Sequence, residues 1–116
     1  IASSMVGLCE AMLYAKQTGL DPERVFKSVS SGAAGSWTLS NLTPRILKGD
    51  FAPGFFVDHF VKDLGIAIEE AEKAGLQLPG LSNAKKAYET LQSMGHGNSG
   101  TQSLILSMAK QNGIDW

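Results

Sequence analysis

The feature that most limits the fold of this chain is its periodicity. Apolar residues recur three and four apart along nearly its whole length, glycine or proline interrupts them at short intervals, and no stretch alternates as a half-buried strand must. An all-α fold follows, and the interruptions divide it into helices. The first should run from Ile1 to about Thr18. It is apolar on most sides, with Ser3, Gly7, Glu10 and Tyr14 falling on one narrow stripe, so it is expected as a long apolar helix at the middle of a multi-helix bundle. Gly19 ends it, and Asp21-Pro22 opens a short second helix, with aspartate as N-cap and proline at the first helical position, ending near Gly32. In "SGAAGSW", Ser36 can cap a third helix beginning at Trp37, which Pro44 should break or kink. The loop "KGDFAPG" leads to a fourth helix from about Phe55 to Gly75, followed by helices from about Leu81 to Met94 and from Thr101 to Asn112.

With 116 residues there is length for one domain and one core, expected to bury roughly two-thirds of the unfolded chain's surface. Apolar residues make up 43% and charged residues 18%, with a formal net charge of −1. This balance argues against disorder and gives no electrostatic reason to expect nucleic acid or an anionic membrane as partner. The opening "IASSMVGLCEAMLYA" is too short and too broken by Ser3, Ser4 and Glu10 to span a bilayer, and no positively charged leader precedes it. It begins inside a helical pattern with neither methionine nor cap, as expected of a piece of a longer protein. The single cysteine, Cys9, has no internal disulfide partner and reads as a small buried hydrophobe; a reducing, cytoplasmic setting is the simplest expectation.

The stretch "FFVDHFVKDLGIAIEEAEKAG", residues 55–75, raises the sharpest question. Advancing about 100° per residue from Phe56 gathers Phe56, Phe60, Leu64, Ala67, Ile68 and Ala71 into a core arc of roughly 120°. Lys62 falls well outside it, beside Asp58 and Glu69, and Asp63 falls at its edge. Lys62 can pair with Asp58 on a solvated face, or the edge can present charge to a cleft, where a lysine suits an anionic ligand. Trp37 reads as a core residue that could otherwise anchor an interface. His59 and His96 lack metal-ligand spacing, so no metal site is expected. The glycines of "GHGNSG" follow no strand and suit a capping turn better than a phosphate cradle.

Taken together, "GLDPERVFKSVSSGAAGSW", "FAPGFFVDHFVKDLGIAIEEAEKAGLQLPG" and "GTQSLI" make the chain resemble the C-terminal domain of the β-hydroxyacid dehydrogenases, of the 3-hydroxyisobutyrate dehydrogenase type. The resemblance covers essentially the whole chain. Its most specific part is Lys-Asp-Leu opening a helical run, with a phenylalanine seven positions before the lysine. It implies an enzyme of the 6-phosphogluconate dehydrogenase-like superfamily, in which residues 1–116 form a single helical domain for substrate and dimer contacts and the N-terminal Rossmann domain lies outside this chain. The implied chemistry is reversible hydride transfer between NAD or NADP and a β-hydroxy acid such as 3-hydroxyisobutyrate, giving a semialdehyde. Such chemistry needs an acid or base at the hydroxyl.

By the same resemblance that role belongs to a lysine preceding Ile1, so the chain would hold no catalytic residue and be inactive alone. Lys62 matches the lysine that reaches the cofactor, while Asp63 and Phe55 match residues lining the substrate pocket. A homodimer or homotetramer is implied. The alternative from another class is a non-enzymatic helical interaction or dimerisation module, with Phe55, Phe56, Phe60 and Trp37 as its binding surface. A 6-phosphogluconate dehydrogenase proper would call for more basic residues around a substrate phosphate.

Overall fold

Asp21 and Ser36 cap two helices from their own side chains. The Asp21 carboxylate accepts the Glu23 N–H and Ser36 Oγ accepts the Leu39 N–H, each at 3.0 Å, satisfying donors that have no partner within the helix. The computed structural model describes all 116 residues and contains six α-helices: α1 (Ala2–Gln17), α2 (Pro22–Val29), α3 (Trp37–Leu47), α4 (Val57–Lys73), α5 (Pro79–Leu91) and α6 (Leu104–Gln111). A π turn at Gln92–His96 and a 3-10 turn at Thr101–Ser103 join α5 to α6. The fold is all-helical, with one isolated antiparallel bridge between Phe56 and Gly100 in place of any strand.

The core gathers on α1, which packs against α2, α3, α5 and α6, while α4 packs on α5. Met5, Leu8, Cys9, Met12 and Leu13 of α1 are buried, each large apolar side chain contributing roughly 1.5–3 kcal/mol by leaving water. Burial pushes the Cys9 thiol well above its usual value, so it stays protonated and behaves as the small hydrophobe expected. The first helix is neither uniformly apolar nor the longest element. It has 16 residues against 17 in α4, and Ser3, Ser4, Gly7, Glu10, Ala11 and Tyr14 lie exposed along it.

Other expectations change for identifiable reasons. Helix α3 runs through Pro44 to Leu47; the Ser40 carbonyl that loses its donor is on an exposed residue, while Leu42, Thr43 and Ile46 hold the helix to the core. Trp37 is 68% exposed and not core, because it stands at the first position after the cap while Thr38 and Leu39 turn inward. The buried face of α4 is centred on Val57, Leu64 and Ala71, with Phe60, Val61 and Ile68 half-buried, and Phe56 and Ala67 are exposed. Phe56 is the N-cap in extended conformation, so it lies outside the helical wheel that placed it in the core. Helix α5 starts at Pro79 and ends at Leu91, earlier at both ends than its periodicity suggested.

Two buried hydroxyls separate packing from hydrogen bonding. Tyr88, fully buried and set edge-on to Phe60 at 4.9 Å, donates to the Thr101 carbonyl at 3.0 Å. Thr43 Oγ1 is buried without a partner. Tyr88→Phe should therefore destabilise the fold by about 1–3 kcal/mol, since the buried Thr101 carbonyl loses its donor, whereas Thr43→Val should be neutral or stabilising. Urea denaturation of the two variants checks the contrast.

Candidate functional site

The start of α4 has no side-chain cap. Its first N–H groups are satisfied from far along the chain: Val57 N–H donates to the Ser99 carbonyl and Asp58 N–H to the Gly97 carbonyl, both at 3.0 Å. The seam continues on either side, Gly100 N–H donating to Phe51 O at 2.9 Å and Thr101 N–H to Phe55 O at 3.2 Å. "GHGNSG" is thus a capping turn for a helix other than its neighbours in sequence. Gly97 and Gly100 are required by this close approach, whereas Gly95 is favoured by its positive φ of 90°. A Cβ on Gly97 would run into the Asp58 carboxylate, which accepts from Gln92 Nε2 at 2.7 Å, and one on Gly100 would lie 2.7 Å from the Ala52 carbonyl.

The seam forms one wall of a cleft of about 470 Å³. Phe55 and Asp63, the two residues matched to a substrate pocket, both line it, with Ile1, Trp37, Phe60 and Gln102 among their neighbours. Phe55 is 43% exposed and held edge-on against Phe60 at 5.8 Å, with His59 at 6.2 Å. Trp37, displaced from the core, lines this cleft together with Phe55 and Phe60, so its aromatic side chains come from α3, from α4 and from the loop before α4. Lys62 is exposed and does not line the cleft. The expected pair with Asp58 is absent; Asp58 accepts from Gln92, and no carboxylate lies within ion-pair distance of Lys62. His59 and His96 join no group of three or more metal-binding side chains.

Arg45, Asp50 and Gln102 carry much of the local order, and none was singled out from the sequence. Arg45 Nε donates to Asp50 Oδ2 at 2.8 Å and its Nη2 to Asp50 Oδ1 at 3.2 Å and to the Ala52 carbonyl at 2.6 Å. The guanidinium, joined by the Ala52 N–H, holds the Asp50 carboxyl below its ordinary value, and the carboxylate in turn raises Arg45. Gln102, 1% exposed, donates through Nε2 to the carbonyls of Asp50 and Ala52, both at 3.0 Å. The only sequence trace of this network is "GDF" ahead of Pro53-Gly54, a loop signal that names no partner.

A family model described as "NAD-binding of NADP-dependent 3-hydroxyisobutyrate dehydrogenase" matches residues 1–108. The chain belongs to this 3-hydroxyisobutyrate dehydrogenase family. Its relatives are oxidoreductases by name. An uncharacterised oxidoreductase of Bacillus subtilis, YkwC, is 60% identical over 90% of this chain and 36% of its own length. The "Probable 3-hydroxyisobutyrate dehydrogenase-like 1, mitochondrial" of Arabidopsis thaliana is 47% identical over 98% of this chain and 34% of its own. Among solved structures, 3-hydroxyisobutyrate dehydrogenase (ygbJ) from Salmonella typhimurium superposes with a TM-score of 0.85 at 28% identity, over 90% of this chain and 36% of that one. The chain therefore spans roughly a third of the length of the relatives it matches. These relationships favour an oxidoreductase family with a nicotinamide dinucleotide cofactor over a helical interaction module. No helix is long and apolar enough to cross a membrane.

Gly97→Ala should cost about 1 kcal/mol, the worth of the Asp58–Gln92 hydrogen bond its methyl displaces. In an Asp58→Ala background the same change should cost almost nothing, which denaturation of the four proteins of the cycle measures. Asp50 generates a pH dependence. Because its folded pKa is depressed, the stability it contributes is complete above the unfolded value near pH 4 and is lost as pH falls through the lower folded value. Carboxyl NMR of Asp50 should show that low titration, and the Arg45→Ala variant should move it up toward the ordinary range, the Ala52 N–H still lowering it.

Proposed function

We propose that this chain is the helical, substrate-side domain of an NAD(P)-dependent oxidoreductase that interconverts a β-hydroxy acid, such as 3-hydroxyisobutyrate, and its semialdehyde. The observation that carries the reading is the meeting of Phe55 and Asp63 in one cleft, in a chain of the 3-hydroxyisobutyrate dehydrogenase family. Phe55, with Phe60 and Trp37 near it, gives an apolar wall that shields the reacting carbon from water. Asp63 presents an acceptor to the substrate's hydroxyl from the rigid body of α4. The nicotinamide, when bound, supplies the hydride acceptor.

The residues of this chain fit the edge of a dinucleotide and not its seat. There is no strand followed by a glycine-rich turn to cradle a pyrophosphate, so that part of the cofactor falls to a Rossmann domain elsewhere in the protein. Lys62 is the contribution from this side, an exposed cation with no competing carboxylate, one residue from the cleft-lining Asp63. The proton of the hydroxyl is taken by a lysine preceding Ile1, and the chain by itself turns over no hydroxy acid. Exposed Trp37 and Ile66 leave apolar surface for a homodimer or homotetramer. A reducing compartment such as the cytoplasm suits its single free thiol.

Hydride transfer by the whole protein, followed as reduced-nicotinamide absorbance with short β-hydroxy acids and NAD or NADP, tests this reading. Lys62→Ala should raise the KM for the dinucleotide or lower kcat by about tenfold, with an unchanged melting temperature. Unaltered kinetics would make Lys62 plain solvated surface, and hydride transfer by residues 1–116 alone would overturn the division of labour.

A further inference from the structure

The position of Phe55 has to be explained, because the segment that carries it has little to bury. Between Asp50 and Phe55 the chain reads Phe51, Ala52, Pro53, Gly54, and of these only Phe51 is even half-buried against the core. Hydrophobic packing cannot fix so small a loop, so its register must come from hydrogen bonds. Gln102 supplies the central ones. Its single Nε2 group spans the carbonyls of Asp50 and Ala52 at 3.0 Å each, from a side chain that is itself only 1% exposed. Arg45 reaches the same Ala52 carbonyl from the other side, but as a partly solvated ion pair with Asp50.

The residue before Gln102 completes the hold. Thr101 N–H donates to the Phe55 carbonyl, so consecutive residues secure both ends of the four-residue span from Ala52 to Phe55. Within that span Pro53 has its φ fixed by its ring. Phe55 and Gln102 also line the same cleft.

We propose that Gln102 is a positioning residue for substrate binding: its buried amide, clamped on the Asp50 and Ala52 carbonyls, sets where the Phe55 ring stands in the cleft. The inference rests on reading the cleft as the substrate site. Gln102 acts through Phe55, so its removal is felt by the hydroxy acid and not by the dinucleotide. Gln102→Glu keeps the shape while replacing the donor by a carboxylate facing two carbonyls, and Gln102→Met removes the donor without adding charge.

In the whole protein, Gln102→Met should raise the KM for the hydroxy acid by about tenfold, with kcat and the KM for the dinucleotide changed less than about twofold. In a Phe55→Ala background the same substitution should add less than about twofold, because the residue it positions is gone. Gln102→Glu should follow the same pattern. An equal effect in both backgrounds, or an unchanged KM in a folded variant, overturns the proposal. A second readout separates this failure from failure of the enzyme reading. His59 is a poor reporter, since Phe56 lies nearer to it than Phe55 does, at 5.3 Å against 6.2 Å, so the position of Phe55 is read from its own selectively labelled ring protons, which stand edge-on to Phe60 at 5.8 Å. Altered Phe55 ring shifts in Gln102→Met support the positioning role even if no hydroxy acid is turned over, and unaltered shifts overturn it.

Discussion

A helix that begins without a side-chain cap needs its first N–H groups satisfied by something else, and that need organises this molecule. The free donors of Val57 and Asp58 are met by carbonyls from the turn before α6, and two further backbone bonds extend the contact to Phe51 and Phe55. This seam fixes where α4 starts, and hence which of its residues face the core. It also delivers the loop that ends in Phe55 to the mouth of the cleft, with Asp63 eight residues further along in α4. The seam also reaches the core, since Val57 is fully buried and Tyr88 of α5 donates to the Thr101 carbonyl.

The legible parts of the fold are those decided by neighbours in sequence. Asp21 and Ser36 cap their helices through residues two and three positions away, so those starts could be read directly. The start of α4 could not, since its partners lie at Gly97 and Ser99; Phe60, Leu64, Ile68 and Ala71 of the expected face do turn inward, but Phe56 falls outside the helix. With that start unread, Phe56 was expected inside while Val57 is the residue with no exposed surface. Trp37 misled for a related reason: its size suggests a core, but its place just after the cap puts it at the cleft.

The site divides in the same way. Resemblance singled out Phe55 and Asp63, which the fold brings to one cleft, and helical spacing alone only allowed them to share an edge. Gln102 was not legible because it acts on backbone carbonyls, which every residue possesses, and Arg45 because its pair with Asp50 forms across the end of its own helix, where no helical spacing points to it. The glycines of the capping turn carried a half-readable signal. Their composition suggested a turn, while the Asp58 carboxylate and Ala52 carbonyl that demand Gly97 and Gly100 appear only in three dimensions.

In the working enzyme the wall built by this seam should touch the substrate. The most direct measurement is the nuclear Overhauser effect between the protons of a bound β-hydroxy acid and the ring protons of Phe55, in the whole protein with its dinucleotide. A strong effect to Phe55 is predicted. A bound hydroxy acid that shows contacts elsewhere on the protein and none to Phe55 would contradict the account.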